Sequence, residues 1–236
     1  MGFNLFFSDD PHIRQLASQG AGTIFATDAI LALLMSCPRS VYPWDIVANR
    51  VGNMLFFDKR DGSSVDFVSV GETALNPPEE DGPDSINNKD ALSREAAIIN
   101  QAFSQQVLDK NAAPLAFEKP NPFAGEGEVA RKGYLYRRWD LEDGHKLVAR
   151  CEVDGTVKGV RGTDEMITIN ALNEYDPKAG MDWRRTIDSQ GGAVLAAELK
   201  SNANKLAQWT VRAILAGADK MLFGFVSRVR VKVLKE

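Results

Sequence analysis

Cysteine and histidine are scarce in this 236-residue chain: Cys37, Cys151, His12 and His145 are all there is. No Cys-x-x-Cys pair occurs, which excludes a zinc ribbon and a disulfide scaffold. Both cysteines read as core thiols of a reduced compartment. Two histidines cannot build a multi-histidine metal site. Neither lies in a nucleophile motif, so nothing points to a Ser-His-Asp or Cys-His centre. Long apolar runs are missing too: the longest, Ala29–Met35, is far short of the roughly 18 residues of a membrane span and reads as helix core. The first twenty residues carry Asp9, Asp10 and Arg14 but no signal-peptide pattern, so a cytoplasmic location is expected. There is no excess of positive charge either. With 28 Lys+Arg against 32 Asp+Glu the formal net charge is -4, so any RNA contact must come from a local basic patch.

What is present is the composition of an ordinary folded protein, 44% apolar and 25% charged, with enough apolar residues for a sizeable core. We read residues 1–236 as a single domain. Thr27 and Asp28 supply capping oxygens before a helix over Ala29–Ser36, which Pro38 ends. Leu92, Ala96, Ile99, Phe103 and Val107 form one apolar face of a helix over about Asp90–Leu108. Leu206, Trp209, Ala213 and Ala216 do the same for Asn202–Ala218, with Gly217 near its end. Strand character is expected at Asn53–Phe57, Val65–Val70, Tyr134–Trp139, Lys146–Val153, Met166–Ile169, Ala193–Lys200 and Met221–Leu234. Strands and helices without strict βαβ rhythm predict a mixed α/β (α+β) fold, central sheets flanked by helices. Loops, expected to be mobile, fall near 72–89 and 114–133.

Two short motifs carry the strongest chemical signal. In Lys146–Val153 and just beyond, Glu152 and Asp154 share one strand face, roughly 7 Å apart at ~3.3 Å rise per residue. If Ala193–Lys200 is a neighbouring strand, Glu198 and Lys200 add a third carboxylate and a lysine. Such oxygen ligands hold hard cations, and a lysine beside them stabilises charge that develops in phosphodiester cleavage. The E-x-D and E-L-K pairing resembles the metal centre of the nuclease superfamily with a D…E-x-K signature, the decapping exonucleases being the nearer match. The same residues would also serve as a structural ion-pair cluster.

A longer resemblance covers nearly the whole chain, from about Asp10 to Arg228. Phe25–Val47 (FATDAILALLMSCPRSVYPWDIV), Leu55–Asp61, Asn100–Gln106, Tyr136–Trp139, Cys151–Gly155, Leu172–Glu174 and Glu198–Lys200 closely resemble the D subunit of eukaryotic translation initiation factor three. The stretch matched is that family's cap-binding domain, whose fold is similar to the decapping exonucleases. The pattern fades after Val229. The resemblance implies recognition of the N7-methylguanosine cap of selected messenger RNAs, without catalysis, cofactor or resident metal. It also implies work alongside the other subunits of the factor and the small ribosomal subunit. Residue by residue, Asp28, Val41, Tyr42 and Asn100 match cap-contacting positions. Ala97 and Gln101 stand where the family has threonine and histidine. Ser64 to Pro78 corresponds to an insertion called the RNA gate. In that reading Glu152, Asp154, Glu198 and Lys200 are a nuclease-like remnant.

The residue chemistry is compatible. A methylated guanine is a planar cation, suited to an aromatic face and a carboxylate. Tyr42 and Trp44 offer the first, and Asp28 the second. Arg39, Lys59, Arg60, Arg137, Arg138 and Arg150 are candidates for the phosphates.

Overall fold

Local chemistry starts most of the elements. Asp10 accepts the backbone N–H of His12 and Ile13 at 2.9 and 3.2 Å and begins α1 (Pro11–Ser18), with proline at a position that needs no N–H. Strand β1 (Ile24–Thr27) runs straight into α2 (Asp28–Ser36), whose N-cap is the Thr27 hydroxyl. Hairpin β2 (Val47–Val51) and β3 (Met54–Asp58) turns through Gly52-Asn53, where Gly52 has φ +61°, a conformation costly for other residues. Asn88 caps α3 (Lys89–Gln106). Then follow β4 (Gly133–Asp140), β5 (Lys146–Val153), β6 (Gly155–Lys158), β7 (Asp164–Glu174), α4 (Trp183–Ser201), α5 (Ala203–Ala216) and β8 (Lys220–Ser227). This computed structural model describes residues 10–63, 67, 69–78, 85–117, 119, 121–123, 130–176 and 180–228.

Two sheets result. The larger has the order β2-β3-β1-β5-β4, with β1 parallel to both β3 and β5 and antiparallel strands outside. The smaller is β6-β7-β8, with β7 parallel to β8. Side-chain alternation along β5 separates two cores. Ala149, Cys151 and Val153 pack with Ala26, Leu31 and Ala216, toward α2 and α5. Val148 packs with Phe25 and Ile13, toward α1. On the smaller sheet Leu172 packs with Trp183, Val194, Leu206 and Trp209 of α4 and α5. The Phe103 ring of α3 lies over Gly224, where any Cβ would collide with it. The mixed α/β architecture, two sheets flanked by helices, is therefore as expected. No helix among the described residues is long and apolar enough to cross a membrane.

One assignment is overturned. Ala193–Lys200 is the C-terminal half of α4, not a strand. The apparent alternation of Leu195, Ala197 and Leu199 is carried by Ala, Leu, Glu and Lys, all strong helix formers, with Val194 the only β-branched residue. A break in helical geometry at Gln190, just before Gly191 and Gly192, hides the continuity from a periodicity reading. Smaller corrections follow. Phe67, Ser69 and Val70 lie outside any strand, while Ser64–Asp66 and Val68 fall outside the described residues, as do 79–84 and 229–236. Cys151 is buried but Cys37 only half-buried.

Candidate functional site

In the larger sheet the parallel strands place their carboxyl ends together, the position where open α/β sheets bind ligands. Asp28 follows β1 there, and Glu152 and Asp154 end β5. Asp28 is only 1% exposed. Its Oδ2 accepts the Glu152 N–H at 3.0 Å, and Oδ1 lies 3.5 Å from Nε of Arg212, on α5. Arg212 Nη2 is also 3.3 Å from Glu152 Oε2. Lys132 Nζ reaches Glu152 at 3.0 Å and Asp154 at 3.2 Å. Asp154 Oδ2 accepts the Ile169 N–H at 2.8 Å and so binds β5 to β7. Three carboxylates thus face two internal cations.

The electrostatics follow from that count. Burial pushes the Asp28 carboxyl up, with Arg212 opposing and Glu152 adding to the rise. Glu152 is also penalised by burial, yet Lys132 and Arg212 hold it down at about 2. Arg212 and Lys132 are shifted up by the same carboxylates, against the burial penalty. Among the described residues no group of three or more His, Cys, Asp or Glu is placed to hold a metal ion. Lysine and arginine nitrogens take the oxygens that a divalent cation would need.

Glu198 belongs to a different neighbourhood. From α4 it accepts Asn202 Nδ2 at 2.7 Å, and burial raises its carboxyl despite the nearby Lys205 charge. Lys200 is exposed. The expected cluster of Glu152, Asp154, Glu198 and Lys200 therefore divides in two, because a helix replaces the second strand.

The segment Ser40–Tyr42 follows the 3-10 turn after α2. Glu72 holds it: Oε1 accepts the Val41 N–H at 2.9 Å, and Asn204 Nδ2 of α5 donates to the same carboxylate at 3.4 Å. Next to Glu72, Gly71 N–H donates to Asn202 Oδ1 at 2.9 Å, and Thr73 Oγ1 to the Lys200 carbonyl at 2.6 Å. Ala203 N–H donates back to Thr73 Oγ1 at 3.0 Å. The second half of Ser64–Pro78 is thereby bound to the α4–α5 joint, and its Val70 is buried with Leu92 and Ala96 of α3. Val41 itself is 58% exposed. The Tyr42 ring carries the Lys89 ammonium, 3.5 Å from its centroid.

Comparison with known proteins settles the kinship. The family model described as eukaryotic translation initiation factor 3 subunit 7 (eIF-3) matches residues 2–235. The D subunit of eukaryotic translation initiation factor 3 from Arabidopsis thaliana is 56% identical over 229 residues, covering 96% of this chain and 38% of that protein. The chain belongs to this initiation-factor family. The Nasonia vitripennis relative of the same name is 52% identical, covering 95% of this chain and 41% of its own length. For the Homo sapiens relative the values are 51%, 95% and 42%. The chain thus spans about two-fifths of the relatives it matches. Among solved structures, Rai1 of Scheffersomyces stipitis overlays with a TM-score of 0.47 at 12% identity, covering 89% of this chain and 53% of that one.

Within this initiation-factor chain the predicted cap residues have unequal surroundings. Val41 and Tyr42 lie on the held segment, and Ala97, Asn100 and Gln101 on α3. Asp28 and Asn100 are engaged internally: Asn100 Oδ1 accepts the Ala171 N–H at 2.8 Å, two residues beyond the N–H that Asp154 takes. Beyond Ile167, where the β6 pairing ends, Asp154 and Asn100 thus satisfy the open edge of β7. Of the phosphate candidates, Arg150 is 1% exposed and pairs with Asp10 at 3.2 Å, so it is structural. Arg60 pairs with Asp45.

Sequence reading missed Lys132, Arg212, Glu72, Lys89 and Lys205. The first two were unreadable because their carboxylate partners are distant in sequence. For Lys205 one signal existed: it lies four residues before Trp209 and eight before Ala213, on the apolar stripe of α5, a costly place for a charge.

Proposed function

We propose that this chain is the cap-recognising part of its initiation-factor subunit, a reader of the N7-methylguanosine 5′ end rather than a hydrolase. It acts in the cytoplasm, with the other subunits of the factor and the small ribosomal subunit as partners. The base stacks on Tyr42, with Val41, Ala97 and Gln101 completing the surface. Asp28 and Asn100 act at one remove, by holding the ends of β5 and β7 in place. Ser64 to Pro78 is the gate across the RNA path.

The observation that supports this reading most directly is the Tyr42 ring, which already carries a positive charge at 3.5 Å. A methylated guanine is a cation with a π face and can use the same surface. Family membership supports the coarser part, a role in translation initiation. Pairing of Asp28, Glu152 and Asp154 with Lys132 and Arg212 favours reading over cleavage.

Crosslinking this chain to RNA labelled only at its cap tests the proposal. Tyr42→Ala removes stacking worth about 1–3 kcal/mol per base, so the affinity read by crosslinking falls about five- to 150-fold while the fold persists. Unchanged crosslinking moves the site elsewhere. Release of a cap nucleotide in magnesium or manganese, lost in Glu152→Gln, would make the chain an enzyme instead.

A further inference from the structure

Lys89 is the first residue of α3, where the positive end of the helix dipole disfavours a cation. Its ammonium is 3.5 Å from the Tyr42 centroid, well inside the roughly 6 Å range of a cation–π contact. Glu72 meanwhile holds the neighbouring Val41 N–H at 2.9 Å, so the segment carrying the ring is tied at its backbone as well. The lysine therefore gains from the ring what its helix position withholds. It also bridges the Val41–Tyr42 segment to the helix that carries Ala97 and Gln101.

We propose that Lys89 sets the affinity of the site: its ammonium is a resident cation on the Tyr42 ring, and a base that stacks on that face must displace it. This rests on the cap reading above. Exchange of one cation for another on the ring is close to balanced, because both interact with the same quadrupole. A neutral base loses the lysine contact and gains a weaker one in return. The resident charge thus weakens binding of every base by the same amount, and a methylated guanine keeps its advantage over an unmethylated one through its own charge. That cost is common to all bases, so removing it tightens binding of each of them.

The test uses 7-methylguanosine, a nucleoside without phosphates, so that losing a phosphate-attracting charge does not enter the result. Binding to the intact chain and to Lys89→Met and Lys89→Arg is followed by NMR, together with the ring-current shift of the Lys89 methylene protons. The proposal expects Lys89→Met to bind the nucleoside roughly three- to tenfold more tightly and Lys89→Arg to stay near the parent. In the parent the Lys89 shift should relax as the nucleoside is added. Equal or weaker binding by a folded Lys89→Met chain overturns the proposal, as does a Lys89 shift that ignores the ligand. If the parent and all variants fail to bind both 7-methylguanosine and its 5′-triphosphate, the cap reading fails and takes this inference with it. If the parent binds and Lys89→Met is no tighter, only the role of Lys89 fails.

Discussion

Arg212 and Lys205 are seven residues apart on α5, two turns along the helix and about 10 Å at 1.5 Å per residue, yet their surroundings are opposite in kind. Arg212 meets Asp28 at 3.5 Å and Glu152 at 3.3 Å, and Lys132 completes the balance. Lys205 is only 3% exposed, and among the described residues no carboxylate oxygen comes within ion-pair distance of it. The two acids whose charge acts on it are engaged elsewhere: Glu72 with Val41 and Asn204, Glu198 with Asn202. What remains for Lys205 is the Trp209 ring, 5.9 Å from its ammonium. Burial therefore lowers it to about 8, with Glu198 and Glu72 opposing the fall. One helix thus carries a cation that its neighbours hold charged and another that its neighbours leave short of a partner. Position relative to the carboxylates decides which, not residue type.

The contrast predicts effects of opposite sign. Arg212→Met leaves Asp28 and Glu152 buried without their shared cation and should cost about 3–5 kcal/mol, the usual loss when one partner of a buried pair is removed. Urea unfolding at neutral pH reads it. A loss under about 1 kcal/mol would show that the cluster contributes little and would erase the distinction.

Acid titration gives the next largest effect. Glu152 titrates at about 2 in the fold, below its ordinary 4.5, so its contribution is complete above pH 4.5 and is lost as pH falls toward 2. At one unit per 1.36 kcal/mol the loss is about 2–3 kcal/mol after allowing for partial exposure. Glu152→Gln should flatten that part of the stability–pH curve. An unchanged slope in the variant would locate the acid sensitivity elsewhere.

Lys205→Met should act the other way and stabilise by about 1–2 kcal/mol at pH 7, since an apolar side chain of similar length replaces a buried charge without an ion pair. The native lysine loses its proton near 8 and the unfolded one near 10.5. The native penalty is therefore full below pH 8 and fades as pH rises to 10.5. In that window the parent gains stability and the variant does not. A destabilised Lys205→Met chain would mean that the ammonium has a partner of greater weight than Trp209.

Legibility differs from element to element. Helices α2, α3 and α5 are readable because capping residues and a one-sided apolar stripe are local signals. Strand β5 matches to the residue, and β4 to within one residue at each end. Helix α4 is half misread, since a short run of Ala, Leu, Glu and Lys satisfies both a two-residue and a helical period. Strand β3 is read from its Leu-Phe-Phe run although it has only five residues, whereas β1, β2 and β6, of four or five residues each, have no such apolar and aromatic run. Within the site, the sequence singles out Asp28 as a capping residue and as a carboxylate for the cap; the capping oxygen is that of Thr27, and Asp28 is buried against the Glu152 N–H and Arg212. Asn100 is expected to face a ligand. Its role in satisfying the β7 edge cannot be read, because the Ala171 N–H lies 71 residues away.

By itself the sequence determined the kind of molecule. It showed a mixed α/β fold without a disulfide framework, a pair of acidic residues ending one strand, and the run of motifs that identifies the family. These are properties of short segments, where periodicity, capping and composition act within a few residues. The tertiary structure alone decided which charges meet. It placed Arg212 and Lys132 on the carboxylates, buried Lys205 beside Trp209 with no ion pair among the described residues, and seated Lys89 on Tyr42. Such pairings join residues tens of positions apart, and their strength depends on burial and on distances of a few ångströms. Neither quantity exists until the sheets and helices have packed.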